Sequence, residues 1–102
     1  MKKILFLLLF TCSAYAQQKA LVHINAEFNK SNDWYGLDAV DNCKVYNGYI
    51  ENNSAIKEKY NITKIPTLIL YVDGKELERW GAGLDMKLHV DVSEVQKAID
   101  KK

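Results

Sequence analysis

The chain has 102 residues, 14 basic and 13 acidic, giving a net charge of +1, with two cysteines and a single proline. That length suits one small domain and leaves too little apolar material for two independent cores. The near-neutral balance and the lack of a basic cluster argue against nucleic acid as a partner; the terminal Lys101–Lys102 pair reads as a solvated tail.

Lys2 and Lys3 precede the apolar run ILFLLLF, and Ala14-Tyr15-Ala16 supplies the small residues of a cleavage site. The pattern predicts a signal peptide over residues 1–16 and a domain over residues 17–102. The run is too short to cross a bilayer as a helix, so no stable membrane span is expected after processing. Losing Lys2 and Lys3 leaves 12 basic against 13 acidic residues, a net charge of −1. The short lysine-led signal looks bacterial and predicts an extracytoplasmic protein, periplasmic or secreted. An alternative is lipid anchoring through Cys12, since Leu9-Phe10-Thr11-Cys12 loosely resembles a lipoprotein signal. Phe10 and Thr11 are larger than that signal prefers. With Cys12 inside the leader, only Cys43 survives processing, and no intramolecular disulfide can form. Such a thiol is either buried and inert or paired with another chain.

Along the remaining chain, KALVHINAEF predicts a strand from about Ala20 to Ala26, interrupted on one face by His23 and Asn25. Trp34, Leu37 and Val40 then fall at helical spacing, with Asn32 or Asp33 as N-cap, although Gly36 weakens that helix. CKVYNGYI reads as a second strand, and NNSAIKEKY as a short helix with Ile56 and Tyr60 one turn apart. Thr67 to Val72 is a nearly continuous apolar strand, Asp73-Gly74 a hairpin turn, and Lys75 to Trp80 the returning strand. The last segment places Val92, Val95 and Ile99 on one helical face, with Ser93 and Gln96 spaced as a capping box. The order β-α-β-α-β-β-α implies parallel pairing across the first crossover and an antiparallel hairpin at the end.

That order, with Tyr60, Ile65-Pro66-Thr67, the strand Leu68 to Val72, Gly74 and Gly81, resembles the thioredoxin family. The resemblance implies an α/β fold, a thioredoxin-like three-layer α/β/α sandwich on a mixed four-stranded sheet. It implies the minimal form, without the extra N-terminal strand and helix of larger members. In that family the loop proline follows a cis peptide bond, and the backbone before it pairs with an extended client segment. The plainer alternative makes Pro66 a trans residue starting an edge strand. Carried to the first strand, the resemblance places Asn29 and Asn32 at the two positions of the Cys-x-x-Cys motif, with Lys30 and Ser31 between them. His23 then falls where many members bury an aspartate, and Phe28 where they carry a tryptophan.

Thiol–disulfide exchange needs an attacking thiolate and a second sulfur to resolve the mixed disulfide. Neither asparagine supplies one. No catalytic residue is therefore expected, and Cys43 should lie too far from the Pro66 loop to substitute. No cofactor and no metal are expected: His23, His89 and Cys43 lack ligand spacing. His23 in a central strand is expected to be a hydrogen-bonded interior residue. Asn29, Asn52 and Asn61 each begin an Asn-x-Ser/Thr sequence, but a bacterial leader makes glycosylation there unexpected.

Three functions follow. The first is a redox-inactive module that binds a protein partner or an extended polypeptide through Ile65, Pro66 and Thr67 and the degenerate turn Asn29, Lys30, Ser31 and Asn32. Trp34, Tyr35 and Trp80 are candidates for an aromatic contact surface, although both tryptophans are equally good core residues. The second is a structural subunit of an envelope or particle assembly. The third is an oxidoreductase-related enzyme with an atypical site, which the missing thiols oppose.

Overall fold

The structure is a computed structural model that describes residues 18–101. The leader expected at residues 1–16, with Cys12, and the two ends of the domain expected over 17–102 lie outside the described residues.

Four strands form one sheet: β1 (Lys19–Asn25), β2 (Lys44–Tyr49), β3 (Thr67–Val72) and β4 (Lys75–Gly81). Their spatial order is β2-β1-β3-β4, with β1 parallel to β2 and the other two pairings antiparallel. This is the mixed four-stranded α/β architecture that the pattern predicts. β1 and β3 are central and read as near-continuous apolar runs because both faces are covered; the edge strands β2 and β4 are largely exposed. The β3–β4 turn has φ of +53° at Asp73 and +82° at Gly74, as a tight two-residue hairpin of primed type requires. The backbone of Gln18 clasps this turn, donating to Asp73 Oδ1 and accepting from the Asp73 N–H.

Two helices cover the sheet. On one face, α2 (Val92–Lys101) inserts Val95 and Ile99 among Leu21, Leu68, Leu70, Leu88, Val90 and Trp34. Each large side chain so buried contributes about 1.5–3 kcal/mol of transfer free energy. On the other face, the short α1 (Ala55–Lys59) seats Ile56 against Val22, Ile24, Ile62 and Ile69. The two faces are unequal, because five residues of helix cannot roof a four-stranded sheet.

The segment between β1 and β2 departs from expectation. Where Trp34, Leu37 and Val40 suggest an α-helix, the chain forms a 3₁₀ helix over Glu27–Asn32 and then a run of turns. The apolar spacing is still used, since Trp34, Leu37 and Val40 all pack on the α2 side. Long-range bonds hold the backbone instead: the Trp34 N–H donates to His23 Nε2 and the indole N–H to the Val90 carbonyl. Gly36 then passes so close beneath the indole that an added Cβ would stand 2.5 Å from its ring. The capping box in α2 is displaced too. The helix begins at Val92, ahead of Ser93, and the Gln96 amide bonds both the N–H and the carbonyl of Asp41. Gln96 thus moors the loop before β2 rather than closing its own helix.

Candidate functional site

At the C-terminal end of β1 the chain turns through Ala26 into the 3₁₀ segment. Its backbone is kinked at Asn29 (φ −111°, ψ 18°), the segment's one buried residue. Asn29 anchors the turn from below. Its Nδ2 donates to Asn25 Oδ1 (3.0 Å) and to the Met86 carbonyl (3.0 Å), and its Oδ1 accepts from Asn32 Nδ2 (2.7 Å). Asn32 is therefore bonded to Asn29 and does not cap a helix. A carboxamide pair carries no redox couple, but it joins the two positions by a hydrogen bond.

This pair belongs to a larger network. Fully buried Asn25 donates through Nδ2 to the Asn29 carbonyl (2.9 Å) and to Asp33 Oδ1 (2.8 Å). The Tyr49 hydroxyl donates to the other Asp33 oxygen, which raises its own pKa above the usual phenol value. Asn47 bonds His23 Nδ1 at 2.8 Å. Because His23 Nε2 accepts from Trp34, the ring proton sits on Nδ1 and the imidazole is neutral. Burial pushes the His23 pKa below 6.5, more strongly than Asn47 and Asp33 raise it. Every buried side-chain nitrogen and oxygen among the described residues has a partner. Such a fully satisfied network specifies one conformation of the turn.

The Ile65–Pro66 peptide is cis, Pro66 is fully buried and Ile65 half-buried. Thr67 pairs with Ile24, so the Ile65–Pro66 step lies alongside the end of β1, where Asn25 and Ala26 lead into the Asn29 turn. The Thr67 hydroxyl donates to the Lys64 carbonyl, and the Pro66 carbonyl accepts from Ala82. The structure thus brings Ile65, Pro66 and Thr67 to the same end of the sheet as Asn29, Lys30, Ser31 and Asn32. Lys30 and Ser31 are exposed, and the Lys30 ammonium stands 5.6 Å from the centre of the Tyr49 ring.

Apolar side chains crown this end. Phe28 is 74% exposed, and Leu84 is fully exposed at the tip of the Gly83–Met86 turn whose Met86 carbonyl Asn29 holds. Nothing local in the sequence connects Leu84 and Met86 to Asn29. Of the three aromatic candidates, Tyr35 is exposed, Trp80 is half-buried with its indole N–H on Glu94, and Trp34 is core.

Cys43 is elsewhere. It precedes Lys44, which pairs with Ala20 at the start of β1, whereas Thr67 pairs with Ile24 four residues on. Four residues of strand span about 13 Å. The thiol packs against the α2 core; burial, Asp41 and Asp100 push its pKa up, against Lys19. His89 bonds exposed Asp85 and is itself exposed, whereas His23 is fully buried. No group of three potential ligands that could hold a metal occurs among the described residues, and no helix among them is long and apolar enough to cross a membrane.

No family model and no curated protein matches the sequence. Solved structures do resemble it. A mutant thioredoxin from Halobacterium salinarum NRC-1 is 20% identical, with a TM-score of 0.63 over 82% of this chain and 74% of the other. Thioredoxin-2 of the malaria parasite is 15% identical, with a TM-score of 0.59 over 84% of each chain. A thioredoxin from Fasciola hepatica is 16% identical, with a TM-score of 0.56 over 82% and 80%.

Proposed function

We propose that this chain, whose fold is thioredoxin-like, is an extracytoplasmic, redox-inactive module that binds an extended polypeptide at the C-terminal end of β1. On this reading residues 1–16 are removed as a signal peptide and residues 17–102 form the working domain. The observation that carries it is the Asn29–Asn32 pair. Two carboxamides stand where the family resemblance puts two sulfurs, locked into a buried network that keeps the turn in shape. A turn maintained without its chemistry, beside the exposed Phe28 and Leu84, is suited to recognition rather than exchange. Ile65, Pro66 and Thr67 would offer backbone to the client strand, and the apolar crown would select its side chains.

The test is a peptide-display selection against the processed chain, followed by amide chemical-shift mapping. Selected peptides are expected to shift Asn29 to Asn32 and Ile65 to Thr67, and to lose affinity about tenfold or more for Phe28→Asp, the scale of an interface anchor. Shifts confined to another surface would overturn the assignment. Insulin reduction is expected at the level of a Cys43→Ser control; turnover above that control would restore the enzyme reading. Intact mass decides the export part: a chain beginning at Gln17 supports it, a lipid adduct on Cys12 replaces it with an anchored form, and an unprocessed chain refutes it.

A further inference from the structure

The other end of β1 carries a different feature, independent of the polypeptide site. α1 is five residues long, about 8 Å of helix, and roofs only the part of its face around Ile24 and Ile69. Toward the start of β1 the sheet face is left open as a cleft of about 450 Å³. The register explains its shape. Ala20 lies between Lys44 on β2 and Tyr71 on β3, and Val22 between Tyr46 and Ile69. A small residue among long ones makes a depression, and Tyr60, which follows α1, closes its other side with a ring 6.2 Å from that of Tyr71. A second hollow of about 220 Å³ continues it, sharing Val22, Tyr46 and Tyr60.

The charges at its rim are of one sign. Lys44 and Lys59 both line the cleft and are exposed, and among the described residues neither pairs with a carboxylate. Three other ions nearby are engaged. Arg79 and Glu76 hold each other through two bonds of 2.8 and 2.9 Å, and Arg79 also bonds the Tyr60 carbonyl. The Lys19 ammonium is turned to the opposite face, where it donates to the Ile99 carbonyl.

We propose that this cleft binds a small amphiphilic anion, its flat apolar body against the rings of Tyr46, Tyr60 and Tyr71 and its single anionic head toward Lys44 and Lys59. The volume falls in the range of small-molecule sites, and an apolar lining with two cations at its rim gives both affinity and orientation. The Lys59 ammonium, 5.4 Å from the centre of the Tyr60 ring, is already drawn over the aromatic wall.

Anilinonaphthalene sulfonate tests this directly, with uncharged phenylnaphthylamine as its neutral counterpart. Fluorescence titration at neutral pH is expected to show saturable one-to-one binding of the sulfonate, with the neutral dye about tenfold weaker. Ala20→Phe, which fills the depression, is expected to abolish binding of both. Lys44→Glu with Lys59→Glu is expected to weaken the sulfonate about tenfold and leave the neutral dye unchanged. Tyr46→Ala, on an exposed edge strand, serves where Ala20→Phe does not fold, with a loss of about fivefold expected for both dyes. Unsaturable binding, equal affinity for the two dyes, or full affinity in both cleft variants overturns the proposal. Dye binding that vanishes as protein concentration rises, with a dimer mass in light scattering, would assign the cleft to a second copy and overturn it equally.

Discussion

Replacing Asn29 is the most informative perturbation of this molecule, because its side chain is the hub of the polar network. Asn29→Ala removes three side-chain hydrogen bonds, to Asn25, Met86 and Asn32. Asn25 Oδ1, on a fully buried residue, then loses its partner, which costs about 1–3 kcal/mol as unpaired desolvation. The bonds to Met86 and Asn32 end on better hydrated groups and add roughly 0.5–1.5 kcal/mol each. The sum is about 2–6 kcal/mol, a large part of the stability of a domain this size. Urea unfolding measures it, with Asn32→Ala as the comparison at about 1–3 kcal/mol, since it leaves only Asn29 Oδ1 without a partner. Asn25→Ala alone and combined with Asn29→Ala completes a cycle, in which a coupling of about 0.5–3 kcal/mol is expected for residues bonded this way. A cost for Asn29→Ala no greater than that for Asn32→Ala, together with additivity in the cycle, would refute the buried network. Asn29→Asp adds a signed check. A carboxylate there faces the Asn25 and Met86 oxygens, so its folded pKa lies above the unfolded value. Its stability relative to wild type is therefore fullest below about pH 4 and falls as pH rises through the folded pKa.

Three further outcomes follow from single features. His23 is neutral and its folded pKa lies below 6.5, so the unfolded chain takes up the proton first. Its contribution is present above pH 6.5 and is lost as pH falls toward the folded pKa, at up to about 1.4 kcal/mol per unit; His23→Gln should flatten that slope in urea midpoints. Gly36→Ala sets a methyl group 2.5 Å from the Trp34 ring and 2.7 Å from Val92, and should cost about 1–3 kcal/mol by overpacking, with a displaced indole N–H resonance. Cys43, its thiol pKa raised mainly by burial, should react with iodoacetamide at pH 8 more slowly than in the urea-unfolded chain; equal rates would contradict its packing against the core.

The hairpin was legible in the sequence because its signals are local: Asp73-Gly74 can adopt the positive φ values that the turn requires, and Thr67 to Val72 has the run of apolar residues a central strand needs. The same holds for α2, where Val92, Val95 and Ile99 recur at helical spacing beside the core. Leu37 and Val40 also chose their face correctly, but spacing could not say that the backbone beneath them would be turns. That outcome depends on Trp34, whose bonds go to His23 and Val90, 11 and 56 residues away. Gln96 misled for the same reason, its partner Asp41 being 55 residues distant. At the candidate site, the asparagines at 29 and 32 were visible as residue types. Their joining to Asn25 and Met86, and through Asn25 to Asp33, was not, because only the folded chain brings the Gly83–Met86 turn against them. The sequence by itself thus determined which segments become strands and which faces are apolar, since both depend on neighbours a few residues apart. Tertiary structure alone decided what the buried polar groups bond to, and that a five-residue helix leaves a tyrosine-walled cleft open, since both depend on groups that meet only after the sheet has formed.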